Sequence, residues 1–294
     1  MAKKDVSKGI SALLLTVLVL LLALSLCRQW LPAFGVGLTA LIYGVVYLIP
    51  MIVYMKRNHY KARNSLRTKW CGTRYLPLSI LFGLSVCMIT VLINLGSNAL
   101  FQAMFHTEFQ PSIVDLSSES LGTLMLTSVL MPAVVEELLF RGLVQSEYEK
   151  YGATIGVVLT ALIFAFFHTS PAQIPALFVA GVCYGVLTLM FRSVWPAVLA
   201  HAVNNCAAVL ISRNQSYIRY LLQDKLFIII AVLVCLLILV ITLKLLEAAI
   251  GKKLGKSRKV KSTKNLAYGD PLMSPCLWVF ALLCIGKMIY NGFF

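Results

Sequence analysis

The sequence predicts an all-α membrane protein, a polytopic bundle of eight or nine transmembrane helices. Three observations predict it. Sixty per cent of the 294 residues are hydrophobic and 13% are charged, against roughly half and about a quarter in a soluble globular domain. The apolar residues gather into nine runs, most of them close to the about 20 residues that a helix needs to cross the hydrocarbon core. The basic residues lie between those runs, in segments that alternate from side to side.

The first run, 10–26, follows Lys3, Lys4 and Lys8. It resembles a signal peptide, but no small-x-small site follows, and Leu26 stands where a lipoprotein box needs a small residue. It therefore reads as an uncleaved first helix. Runs 31–55 and 76–100 complete a three-span N-terminal part, residues 1–120. Four more runs, 121–144, 154–167, 174–191 and 194–211, form a core over 121–212, the second of them short for a span. The C-terminal part, 213–294, holds runs 226–246 and 276–294, with a basic linker at 251–264 between them. The last run carries Lys287 and has an interfacial segment as its alternative. Pro32, Pro50, Pro77, Pro132, Pro171, Pro175 and Pro196 mark span ends or kinks, because proline lacks the backbone donor.

A cytoplasmic N-terminus makes the charges consistent. It places Lys56, Arg57, Lys61, Arg63, Arg67, Lys69 and Arg74 inside, then Arg141, Lys150 and Arg192, then the linker from Lys252 to Lys264. The loop 101–120 falls outside, with Glu108, Asp115, Glu119 and His106 and neither Lys nor Arg. Only Arg28, Arg213, Arg219 and Lys225 oppose the pattern. This placement accounts for the net charge of +15 and argues against a nucleic-acid partner. The basic loops face anionic membrane lipid. The eight cysteines form no C-x-x-C and sit mostly in apolar runs, so they read as small buried hydrophobes rather than zinc ligands or disulfides.

Ionisable side chains inside such runs are expensive and mark function by default. Three groups occur: Glu136-Glu137-x-x-x-Arg141, Phe164-x-x-x-His168 and His201-x-x-x-Asn205. Adjacent helical residues point about 100° apart, so Glu136 and Glu137 do not share a face. Glu137 and Arg141, at i and i+4, are placed to pair. Glu136 is then left to face a cavity as a general base. His201 and Asn205 share a face and are suited to donate to an oxyanion. Singly, each group has a plainer reading: solvated glutamates near a helix end, an interfacial histidine, and interhelical polar glue. At 1.5 Å per residue the three groups reach similar depths only if the fourth helix runs past the glutamates to about Tyr148, with Pro132 bending it.

In this order and spacing the three motifs resemble those of the CPBP family, the CAAX prenyl proteases and bacteriocin-processing enzymes also called Abi. The likeness extends over about 121–211, including the approach Phe191-Arg192-Ser193-Val194-Trp195-Pro196 to the third motif and the glycines Gly181 and Gly185 of the preceding helix. The resemblance implies an intramembrane endopeptidase that cleaves a membrane-associated peptide or protein with glutamate-activated water. It implies that Glu136 activates the water with His168, that His201 and Asn205 stabilise the oxyanion, and that Glu137 and Arg141 support them. No cofactor is needed for that mechanism. A zinc alternative would use Glu136, His168 and His201 as its three protein ligands.

Two other functions remain open on the residues: a non-catalytic bacteriocin-immunity or scaffold protein of the same fold, and a proton-coupled transporter. The second lacks the paired halves usual in transporters. Composition and the lack of a targeting sequence make a bacterial plasma membrane the expected location, which disfavours prenylated substrates.

Overall fold

The computed structural model describes residues 6–27, 35–105, 120–168, 170–214, 223–254, 272 and 274–293. The loop residues His106, Glu108, Asp115 and Glu119, the flanking Lys3, Lys4, Arg28, Pro32 and Arg219, and the linker beyond residue 254 lie outside the described residues.

Among the described residues the chain is predominantly helical, with no strand. Nine apolar helices form the bundle: α1 (Val6–Leu26), α2 (Gly35–Arg57), α3 (Leu76–Phe105), α4 (Leu121–Tyr151), α5 (Ala153–Phe166), α6 (Ile174–Phe191), α7 (Trp195–Arg213), α8 (Lys225–Leu254) and α9 (Pro275–Phe293). Seven have the length and composition to cross a membrane, and α5 and α9 are the shorter apolar two. The chain is an integral membrane protein. All eight cysteines are free.

Packing sorts these helices into a core and a periphery. One cluster joins Ile10, Leu14 and Leu18 of α1 to Tyr47 and Met51 of α2, Leu139 and Phe140 of α4, and Phe280 of α9. A second joins Phe82 and Val86 of α3 to Tyr184 of α6, Ala200 of α7 and Leu246 of α8. Helix α8 touches the bundle chiefly through α3. Only 11% of its apolar stretch is buried, and Leu233 and Leu237 are at least 60% exposed, so its faces are left for lipid.

Helix α4 is the long helix that the depth argument requires, and it is not uniformly α-helical. It runs as α over Leu121–Leu124, π over Met125–Leu130, α over Met131–Glu137, π over Leu138–Val144 and α over Gln145–Tyr148, then closes in a 3-10 turn, Glu149–Tyr151. The first wide turn lies just before Pro132, whose ring would clash with a carbonyl one α-turn earlier and which offers it no N–H. The second begins just after Glu136 and Glu137. An α-helix advances about 40° for every four residues, which would swing the polar side chains away from the bundle interior. With the wide turn, Glu137, Arg141 and Gln145 all remain at 0% exposure.

Helix α5 has 14 residues. It spans about 21 Å, short of the about 30 Å hydrocarbon core. If α5 starts at the membrane surface, its end and His168 just beyond it lie within the hydrocarbon core. Irregular backbone is tolerated there only when protein or a watery cavity surrounds it.

Candidate active site

Glycines set the spacing around α4. A Cβ on Gly181 of α6 would stand 2.9 Å from the Ala161 Cβ of α5, and one on Gly185 would stand 3.0 Å from the Gln145 side-chain oxygen. Helix α6 therefore approaches α4 and α5 closely enough for its carbonyls to serve as acceptors. Arg141 Nη2 donates to the Gly181 carbonyl (3.2 Å), and Gln145 Nε2 donates to the Gly185 carbonyl (3.0 Å).

Glu137 is the centre of the arrangement. Its Oε1 accepts from Arg141 Nη1 at 2.8 Å, the expected i, i+4 pair, with neither side chain exposed. The same oxygen lies 2.9 Å from His201 Nδ1 of α7. A carboxylate paired with arginine can only accept, so this Nδ1 carries a proton. The His201 ring stacks on Tyr184 (centroids 5.3 Å apart, planes 16° apart). Its Nε2 is left for other work.

Phe164 ties the three motifs together. The Arg141 guanidinium lies 4.4 Å above its ring. His201 meets it edge-on at 5.9 Å and His168 at 5.0 Å. His168 is half-buried, and its Nδ1 lies 3.0 Å from the Phe164 carbonyl. A carbonyl cannot donate, so Nδ1 again carries the proton and Nε2 presents a lone pair.

Glu136 is 6% exposed. The sequence reading leaves it free, whereas here its Oε1 accepts from the Tyr43 hydroxyl of α2 at 2.6 Å. Tyr43 is in turn 3.0 Å from the Tyr47 hydroxyl. Neither tyrosine was among the expected site residues. Two hydroxyls one helical turn apart inside an apolar run are a signal that would have found them, since a buried Tyr needs a partner. Asn205, one turn beyond His201, is half-buried and makes no side-chain hydrogen bond among the described residues, while its neighbour Asn204 accepts from Thr90 at 3.3 Å.

The zinc alternative of Glu136, His168 and His201 would have to use Nε2 of each imidazole, since both Nδ1 atoms are engaged. Among the described residues no three His, Cys, Asp or Glu side chains stand close enough together to hold a metal ion. Buried polar groups without a protein partner collect at the same place: Glu137 Oε2, Arg141 Nε and the Tyr184 hydroxyl.

Residues 118–207 match the family model described as Type II CAAX prenyl endopeptidase Rce1-like. The matched stretch holds all three motifs and covers about a third of the chain. No curated protein and no solved structure matches the chain. Over its motif-bearing core, then, this membrane protein is similar to a family of proteases.

Proposed function

We propose, from the likeness of that core to an endopeptidase family, that the chain hydrolyses a peptide bond in a membrane-associated peptide or protein, using water activated by Glu136. The observation that carries the reading is the buried Glu137–His201 hydrogen bond of 2.9 Å, which brings the first and third motifs together in one place. A structural pair alone would need no second carboxylate beside it, yet Glu136 adjoins Glu137 in the chain and is itself only 6% exposed.

The roles follow from which atoms are already engaged. Glu136 takes a proton from water, and the lone pair on His168 Nε2 accepts that water's other hydrogen. The water oxygen adds to the scissile carbonyl. The developing oxyanion receives hydrogen bonds from the Asn205 amide and from His201 Nε2. For that donation His201 must be an imidazolium. Glu136 passes its proton to the leaving amine as the carbon–nitrogen bond breaks. Arg141 and Tyr184 hold Glu137 and His201 in place.

The test is made in a cell that carries the gene. Membrane and secreted peptides are compared by mass spectrometry with the gene deleted, restored, and restored as Glu136→Ala. A precursor should accumulate in the deletion and in the Glu136→Ala strain, and clear with the restored gene, at equal folded levels of both proteins. An unchanged peptide profile would remove the protease reading. Full cell protection by Glu136→Ala would favour an immunity scaffold.

A further inference from the structure

A second site lies well away from this one, at the basic end of the bundle. The segment between α2 and α3 folds back there against α4 and the α6–α7 turn. The Arg67 carbonyl accepts from the Val194 N–H (3.1 Å), and the Thr68 carbonyl accepts from the Trp195 indole (3.0 Å). Arg67 also forms a two-pronged pair with Glu149 at the end of α4 (2.9 and 2.5 Å). These ties border an open surface hollow of about 400 Å³ lined by Arg67 and by the exposed Arg63, Lys69 and Arg192, with Glu149 the one acid on its wall.

The charge there is not balanced within the protein. Glu149 is engaged by Arg67. Among the described residues Arg63, Lys69 and Arg192 have neither an acidic partner nor a side-chain hydrogen bond. The backbone adds a separate observation. Three described non-glycine residues adopt positive φ, and two of them, Arg67 (φ 53°) and Arg192 (φ 49°), line this cavity. Arg192 is the residue that ends α6 in the left-handed conformation, where glycine is the unstrained choice. Such backbone persists where the surrounding structure holds it, as the Val194 N–H and Glu149 hold Arg67, and it clusters at functional sites.

We infer that this cavity binds a phosphate group, and that its source is the headgroup of an anionic membrane lipid. Three unpaired cations around a concave site supply the charge. A basic pocket between helices at the membrane surface is suited to a lipid phosphate, and guanidinium groups match the phosphate geometry with paired donors. The inference is independent of whether the chain is a protease.

Full-length protein is reconstituted in nanodiscs of phosphatidylcholine alone or mixed with phosphatidylglycerol, and retained lipid is read by native mass spectrometry. Wild type should retain the anionic lipid selectively. The pair Arg63→Ala and Arg192→Gly should weaken retention by about thirtyfold, at roughly fivefold per basic residue. Arg192→Gly relieves the strained backbone, so its melting temperature should hold or rise, which separates loss of charge from loss of fold. Lys56→Ala, at the end of α2 and not on the cavity wall, serves as the control for general surface charge and should lose less lipid than Arg192→Gly. Detergent-solubilised protein with inorganic phosphate forms the second arm. Protection by phosphate with no lipid preference would keep the phosphate site and assign it to a soluble ligand. Equal retention by the double variant and wild type would overturn the inference. So would a loss with Lys56→Ala as large as that with Arg192→Gly, or the absence of both lipid preference and phosphate protection.

Discussion

Glu137 and His201, sixty-four positions apart in the chain, share a 2.9 Å hydrogen bond in a region where neither side chain is more than 6% exposed. Glu137 thereby orients the His201 ring through Nδ1 and, through Arg141, is itself tied to the carbonyl of Gly181. The neighbouring Glu136 makes no such anchor to α6 or α7. This division between a locked carboxylate and one held only by tyrosine is the basis of the first three predictions.

Glu136→Gln keeps the shape of the side chain and an oxygen for the Tyr43 hydroxyl, but it cannot take a proton from water. Hydrolysis by purified protein on the accumulated precursor should fall by a factor on the order of 10²–10⁴. The unfolding midpoint should stay near that of wild type. A variant that retains full turnover would show that Glu136 is not the base.

Arg141→Ala has the opposite profile. It leaves the Glu137 charge buried and half-compensated, and removal of one member of a buried pair costs about 3–5 kcal/mol. A large loss of thermal stability is expected, measured by fluorescence-detected size exclusion after heating. The double change Glu137→Gln with Arg141→Met removes both charges and should recover much of the stability without recovering activity. Equal instability of the single and double variants would show that packing around Phe164, rather than charge, is what Arg141 supplies.

Tyr43→Phe distinguishes a structural hydrogen bond from a functional one by magnitude. Interhelical hydrogen bonds in membranes average about 0.6 kcal/mol, so stability should barely change. A hydrogen bond to a charged group is worth about 1.5–3 kcal/mol where its geometry matters. If Tyr43 orients the Glu136 carboxylate, kcat should fall roughly 10- to 100-fold, with KM little altered. A rise in KM at constant kcat would place Tyr43 on the substrate path instead.

Much of this was legible in the residues. The apolar runs predict the helices to within a turn or two at most ends. The i, i+4 spacing of Glu137 and Arg141 predicts their pair, because that contact is local to one helix. What could not be read is whatever depends on which helix lies beside which. Nothing in the spacing of Tyr43 and Glu136 says that α2 crosses α4 at that height. The use of His201 Nδ1 was likewise hidden, since a histidine on α7 gains a carboxylate only once α4 is placed against it. The π turns of α4 escaped for a different reason. Their cause is partly Pro132, which is visible, and partly the packing that keeps Glu137, Arg141 and Gln145 pointing inward, which is not. Phe164 gave a weak signal as the first residue of its motif, and only the packing shows that it touches the residues of the other two.

The last prediction concerns the glycines that let α6 approach. Gly181→Ala would place a methyl carbon 2.9 Å from the Ala161 Cβ and 3.0 Å from its Cα. Neither is the end of a flexible side chain, so the backbones must part. Overpacking of this kind costs about 1–3 kcal/mol, and here it also moves the carbonyl that Arg141 holds. Stability and hydrolysis should both decline, with the loss of activity exceeding what the unfolded fraction explains. Gly96→Ala on α3 has open space at the new methyl and should leave both unchanged. If Gly181→Ala matched Gly96→Ala in a thermal and kinetic comparison, the close contact of α5 with α6 would not be what positions Glu137 and His201.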